Sequence, residues 1–164
     1  MGVTGCGKTV VGSHLAKELG WLFFDADDFH PPENICKMKS GVPLTDADRR
    51  DWLLSLNNLI ANNENKGNRV VLACSALKSK YRSILIGAPP KPLPLHFIFL
   101  NISREVALTR LSSRKGHFMP ASLVDSQFDI LEAPATGDRL NAELPLSQVV
   151  DEAVRAAKRE FVDD

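Results

Sequence analysis

The sequence predicts an α/β fold in which helices cover both faces of a parallel sheet, giving three layers, α/β/α. Two observations predict it. Short apolar runs at residues 21–24, 70–74 and 95–100 alternate with helical patterns, the rhythm of strand–helix–strand units. Residues 2–9 read Gly-Val-Thr-Gly-Cys-Gly-Lys-Thr, the G-x-x-x-x-G-K-T spacing of a phosphate-binding loop that opens a helix.

Between Lys8 and Leu19, Val11, Leu15 and Leu19 recur at helical spacing, and Gly20 suits the C-terminal cap. Trp21-Leu22-Phe23-Phe24 reads as a buried strand running into Asp25-Ala26-Asp27-Asp28. That places carboxylates at a strand's carboxyl end, where open α/β sheets bind ligands. Extended alternation would aim Asp25 and Asp27 to one side. A short helix follows His30-Pro31-Pro32 and ends near Ser40-Gly41. Thr45 can cap the next helix, whose apolar face carries Trp52, Leu53, Leu56, Leu59 and Ile60. Val70 to Cys74 is the clearest buried strand; Ser75 to Lys78 leads from it into a helix with Tyr81 and Arg82. Residues 87–94 hold four prolines and a glycine and form a loop. Leu95 to Leu100 is a strand, and Ser103 caps a helix in which Arg110 and Arg114 share a face. Another helix begins at Ala121, residues 133–139 form a loop, Leu140 to Leu144 is a short strand, and Val149 to Ala157 lies in a closing amphipathic helix.

With 164 residues the chain is expected to be one domain, 1–164. Twenty basic residues balance twenty acidic ones, so no global field favours nucleic acid or an anionic membrane, and anion binding must be local. No apolar run approaches the ~20 residues of a membrane span. No secretory leader is expected ahead of the loop, and the expected location is cytoplasmic. Cys6, Cys36 and Cys74 lack metal-type spacing and read as free thiols, Cys6 and Cys74 as packing residues.

The loop itself dictates part of the chemistry. Glycines let successive N–H groups turn inward on a polyphosphate. Gly2, Val3, Thr4, Gly5, Cys6 and Gly7 form the cradle, Lys8 places a charge on the β/γ oxygens, and the Thr9 hydroxyl suits a Mg²⁺ bridging them.

Five blocks together resemble the thermoresistant gluconokinase family: the loop; Asp25-Ala26-Asp27 with His30-Pro31; Pro43-Leu44-Thr45-Asp46-x-Asp48-Arg49; Cys74-Ser75-Ala76-Leu77-Lys78 with Tyr81-Arg82; and Gly116-His117-Phe118-Met119 with Ser126-Gln127-Phe128. The loop is common to many NTPases, whereas the fourth and fifth blocks are more particular. The resemblance implies ATP- and Mg²⁺-dependent phosphorylation of D-gluconate at its 6-hydroxyl, giving 6-phospho-D-gluconate for the pentose phosphate pathway. It also implies a shikimate- and adenylate-kinase-like P-loop fold with strand order 2-3-1-4-5, a homodimer, and a mobile lid at about residues 110–125.

On this reading Lys8, Asp27 and Arg114 are the catalytic candidates, Asp27 orienting the attacking hydroxyl. Asp25 joins Thr9 at the metal, since the strand at 70–74 ends without an aspartate. A carboxylated polyol calls for cations and hydrogen-bonding side chains; Arg49, Lys78, Arg82, Ser75 and His30 are the candidates beside Asp27. Arg110 and Arg114 would reach the phosphates as the lid closes. His117 is a hinge or surface residue, and Gln127 a lid-side residue without a mechanism.

In this fold the loop leaves the central strand of the sheet, yet only Met1 precedes it here. The first strand is therefore expected to be missing or truncated, with residue 1 not the biological start. A strand of ~5 apolar residues is worth roughly 1.5–3 kcal/mol per residue. Two other readings stand beside the sugar-acid kinase: a kinase for another small acceptor, such as shikimate or a nucleotide, and a truncated, inactive isoform.

Overall fold

The computed structural model describes residues 1–113 and 121–161, without the side chains of 121 and 122. Helix α1 spans Lys8–Leu19, strand β1 Leu22–Asp25, helix α2 Pro32–Lys39 and helix α3 Asp46–Glu64. They are followed by β2 Val70–Ala73, α4 Ser79–Ile86, β3 Ile98–Asn101 and α5 Arg104–Ser112. Helix α6 Ala121–Asp129, strand β4 Asp138–Asn141 and helix α7 Leu146–Phe161 complete the described chain.

Local chemistry explains most boundaries. Gly20 ends α1 in the left-handed region at φ 68° and donates to Ala16 and Lys17 carbonyls, a conformation that costs glycine little. Thr45 and Asp48 form a reciprocal capping box at the start of α3. The Ser103 side chain accepts from the Val106 amide at the start of α5. Packing holds the helices in place. Leu53 and Leu56 of α3 are fully buried with Trp52, Tyr81 and Leu85. A second cluster joins Val11 and Leu15 of α1 to Leu100, Ala107 and Val149.

All strand pairing is parallel. β1 pairs with β2 in the register Leu22↔Val70 to Asp25↔Ala73, and β3 with β4 from Ile98↔Asp138 to Asn101↔Asn141. Among the described residues these are two separate two-stranded sheets. Met1 and Gly2 reach across: the Leu100 amide donates to the Met1 carbonyl at 2.9 Å, and the Gly2 amide to the Ser75 carbonyl at 3.1 Å.

Three details differ from the sequence reading. After Asp25 the chain does not stay extended but winds into a 3₁₀ turn, Ala26–Phe29. β3 begins at Ile98, three residues later than Leu95, because its partner β4 starts at Asp138. β4 itself is the polar stretch 138–141, which begins in the expected loop at 133–139 and overlaps the short strand expected at 140–144 only at Leu140 and Asn141. It is half-exposed, with Leu140 its buried residue, so its sequence carries little hydrophobic signal. No described helix is long and apolar enough to cross a membrane.

If packing holds α3 more than its cap does, Leu53→Ala should destabilise the protein by about 2–5 kcal/mol. Thr45→Ala should cost about 1 kcal/mol. Urea unfolding of both variants checks this, and the reverse ranking would contradict it.

Candidate active site

The site begins at the loop of residues 2–7. Gly5 and Gly7 adopt φ of 82° and 95°, where a side chain would be strained. A Cβ on Gly5 would also lie 3.0 Å from the Ala107 carbonyl oxygen. Gly7 is the N-cap of α1 and makes no side-chain cap, so the first amides of α1 are left for an anion. Val3 and Cys6 are buried in the core beneath the loop. Lys8 Nζ curls back to the Val3 carbonyl at 2.9 Å. The Thr4 amide donates to Gln127 Oε1 at 2.7 Å, which gives Gln127 a definite contact that its position in the sequence did not convey. Arg110 Nη2 donates to the Ala142 carbonyl at 2.8 Å, beside a cavity of about 170 Å³ that Cys6 and Gly7 also line.

Thr9 Oγ1 donates to Asp25 Oδ2 at 2.6 Å. The other oxygen of that carboxylate, Oδ1, accepts from the Asp27 amide at 3.1 Å. Asp25 thus ties the first turn of α1 to the 3₁₀ turn. Trp52 Nε1 fixes the turn from below by donating to the Ala26 carbonyl at 2.8 Å. Asp27 emerges with its side chain 80 % exposed. Crowding by protein atoms in the cleft pushes its carboxyl up from the usual value, Lys8 pulls it down, and Asp25 and Asp28 push it up again.

His30 stacks on Trp52 with ring centroids 4.1 Å apart, and its side chain is 4 % exposed. Burial first, then the charge of Arg49, lower its pKa to about 4. The ring is therefore neutral near pH 7, and its 3.8 Å approach to Asp27 is not an ion pair there.

Asp46 collects three donors: Lys78 at 3.0 Å, Lys80 and the Tyr81 hydroxyl. The Lys80 bond, then those from Tyr81 and Lys78, hold its carboxyl well below the usual range. Arg49 lies 5.5 Å over the Tyr81 ring and donates to the Leu44 carbonyl. Ser75 and Lys78 lie on the segment after β2, where Ala76 adopts φ 45°, an uncommon conformation for a residue with a Cβ. Arg82 is buried under that segment: its Nη1 donates to the carbonyls of Ala76, Leu77 and Glu132 at 3.0, 3.3 and 2.9 Å.

The structure thus groups Lys8, Thr9, Asp25 and Asp27, and separately Arg49 and Lys78 around Tyr81 and Asp46. It sets Arg82 underneath, engaged with backbone. Arg114 and His117 lie outside the described residues. The sequence reading missed the roles of Trp52, Asp46 and Tyr81 in holding these groups. The aspartate and tyrosine stood within the quoted motif blocks, so a signal existed, but nothing in their spacing paired them.

Comparison with known proteins gives consistent matches. A family model described as shikimate kinase matches residues 4–158. The probable gluconokinase of Xenopus tropicalis is 46% identical over 93% of this chain and 88% of its own length. The gluconokinase of Gluconobacter oxydans is 43% identical over 94% of this chain and 87% of its own. The crystal structure of a gluconokinase from Sinorhizobium meliloti superposes with a TM-score of 0.86 at 41% identity, covering 97% of this chain and 89% of that one.

Because His30 titrates at about 4 when folded against 6.5 for an ordinary ring, the unfolded chain binds the proton more readily. The stability from keeping the ring neutral is complete above about pH 6.5 and is lost as the pH falls toward 4, by about 3 kcal/mol over that window. The raised pKa of Asp27 acts in the opposite sense, so the informative quantity is the difference between the wild type and His30→Gln. Urea melts from pH 7 to 4 should show the wild type losing stability more steeply than the variant. Parallel curves would contradict the assignment.

Proposed function

The chain belongs to the gluconokinase family of P-loop kinases, and from that premise we propose that it transfers the γ-phosphoryl group of ATP to the 6-hydroxyl of D-gluconate. The observation that carries this reading is the Thr9–Asp25 bond at 2.6 Å. It fastens a phosphate cradle to a turn that presents a free carboxylate, Asp27.

Phosphoryl transfer needs positioning and charge neutralisation more than covalent help. The uncapped amides where the loop enters α1, at Gly7, Lys8 and Thr9, receive the triphosphate. Lys8 leaves the Val3 carbonyl for the β/γ oxygens. Thr9 and Asp25 offer adjacent oxygen donors, the kind Mg²⁺ takes alongside phosphate oxygens, so the residues fit that ion. When bound it would neutralise charge on the phosphates. Asp27, with its side chain exposed, orients the acceptor hydroxyl and accepts its proton. A bond then forms from that oxygen to the γ-phosphorus as the bond to the ADP oxygen breaks.

The gluconate carboxylate calls for cations, and Arg49 and Lys78 would supply them. Lys78 would exchange its Asp46 partner for the substrate. Ser75 and His30 are hydroxyl partners; a neutral imidazole both donates and accepts. Arg82 supports the 75–78 segment, and contact with substrate would fall to guanidinium nitrogens other than Nη1. Arg110, with Arg114, would close over the phosphates as part of a lid at about residues 110–125, excluding water. A single domain, a homodimer and a cytoplasmic location complete the proposal on the strength of the family resemblance.

A coupled ADP-release assay over gluconate, shikimate, glycerate and nucleoside monophosphates tests the acceptor. Gluconate should give the highest kcat/KM. Shikimate is the serious competitor, because the matching family model bears its name; a preference for it would replace this reading. Asp27→Asn should lower kcat about 10²–10⁴-fold while ATP affinity stays within about twofold. Unchanged turnover would remove Asp27 from the mechanism.

A further inference from the structure

Gln127 and Glu132 stand close together in the chain, yet each holds a different part of the candidate site. Gln127 Oε1 accepts from the Thr4 amide of the phosphate loop at 2.7 Å. Glu132 turns all three of its polar groups to the segment that follows β2. Its amide donates to the Leu77 carbonyl at 2.8 Å. Its carbonyl accepts from Arg82 Nη1 at 2.9 Å. Its carboxylate accepts from the Ser79 amide at 2.6 Å, at the start of α4, where the N-cap residue Lys78 supplies no side-chain cap. A carboxylate suits that end of a helix. The segment held in this way carries Ser75 and Lys78.

The link between the two residues is stiff. Leu123 and Val124 of α6 are buried. Arg104 of α5 reaches Asp125 at 2.8 Å and Asp129 at 3.3 Å, and lies 5.3 Å from the Phe128 ring centroid. The Leu131 amide donates to the Phe128 carbonyl at 3.3 Å, and Ile130 and Leu131 pack against the core. No slack chain separates Gln127 from Glu132, and close-packed elements transmit strain.

Nucleotide acts on one end of this link. The Val3–Thr4 peptide is gripped from both sides: Lys8 Nζ donates to its carbonyl at 2.9 Å, and Gln127 takes its N–H. When Lys8 moves to a phosphate, Gln127 is the one described side chain still holding that peptide. The Gly2 amide offers a second route, through the Ser75 carbonyl at 3.1 Å. That route enters the segment ahead of the turn at Ala76, φ 45°, whereas Glu132 holds it beyond the turn, at Leu77, Ser79 and Arg82.

We propose that Gln127 and Glu132 are positioning residues that couple the two substrate sites. Through residues 127–132, nucleotide on the phosphate loop steadies the segment 77–82, and by linkage an acceptor on that segment tightens nucleotide binding. The inference rests on the assignment of the loop to ATP and of Ser75 and Lys78 to the acceptor.

Amide hydrogen exchange tests it with the β,γ-imido analogue of ATP and Mg²⁺, without any acceptor. In the wild type the analogue should slow exchange in the loop and also, at least about fivefold, at Ser79, Tyr81 and Arg82. Gln127→Ala should keep the loop's response and reduce that of Ser79, Tyr81 and Arg82 to less than about twofold. Glu132→Ala should do the same. Glu132→Gln, whose carboxamide oxygen still accepts from the Ser79 amide, should restore the response. Should Gln127→Ala no longer bind the analogue, Glu132→Ala decides, since it leaves the bond to Thr4 intact. A wild-type response in the alanine variants, whatever their Tm, would show a structural role only and overturn the proposal. So would failure of Glu132→Gln to rescue, or an unresponsive segment in a wild type whose loop is protected. A wild-type loop left unprotected would overturn the nucleotide assignment and the coupling with it, whereas lack of turnover with gluconate would overturn the acceptor's identity alone.

Discussion

One hydrogen bond, from the Thr9 hydroxyl to the Asp25 carboxylate, joins the two halves of the chemistry. Thr9 belongs to the first turn of α1, and Asp25 is the last residue of β1. Without this link the phosphate cradle and the acidic turn are separate local structures. With it, the spare oxygen of Asp25 takes the Asp27 amide, and the turn's direction is set relative to the cradle. Trp52 completes the arrangement from α3 by holding the Ala26 carbonyl. Three elements distant in sequence therefore meet at four residues, 25 to 27 and 9.

Charge is arranged around that junction with little waste. Asp27 keeps its carboxylate in water, facing the ammonium of Lys8, while His30 is kept neutral by burial and by Arg49. The second group is self-neutralised, with Asp46 occupied by two lysines and Tyr81. An anionic acceptor would thus meet cations that already have a partner, and binding becomes an exchange of carboxylates in which geometry decides more than raw charge. Arg82 shows the other use of arginine here: its buried Nη1 gathers three carbonyls and so fixes the turn at Ala76. No buried side-chain nitrogen or oxygen among the described residues lacks a partner, as a cleft built from polar groups requires.

Much of this was legible in the sequence where the signal is local. The spacing of Gly2, Gly7, Lys8 and Thr9 marked the loop that opens α1, Gly20 the end of α1, and Thr45 and Ser103 two helix starts. Those features depend on a few adjacent residues. What stayed hidden depends on contacts across the chain. Trp52 to Ala26 spans 26 positions, Tyr81 to Asp46 spans 35, and Thr4 to Gln127 spans 123. No periodicity encodes such pairs. β4 was misplaced because a half-exposed polar strand lacks the apolar pattern used to find strands. The 3₁₀ turn after Asp25 was missed because extended alternation was carried two residues too far, to Asp27. Lys78 looked like an unengaged cation until the fold brought Asp46 to it.

The central claim is that Thr9 and Asp25 act as one unit. A double-mutant cycle measures this directly, using kcat/KM for gluconate in Thr9→Val, Asp25→Asn and the double variant, with folding of each checked by circular dichroism. The account predicts strong non-additivity: the double variant should be little worse than the poorer single one, a coupling of about 1–3 kcal/mol. Losses that simply add would show that the two side chains work independently and would contradict it.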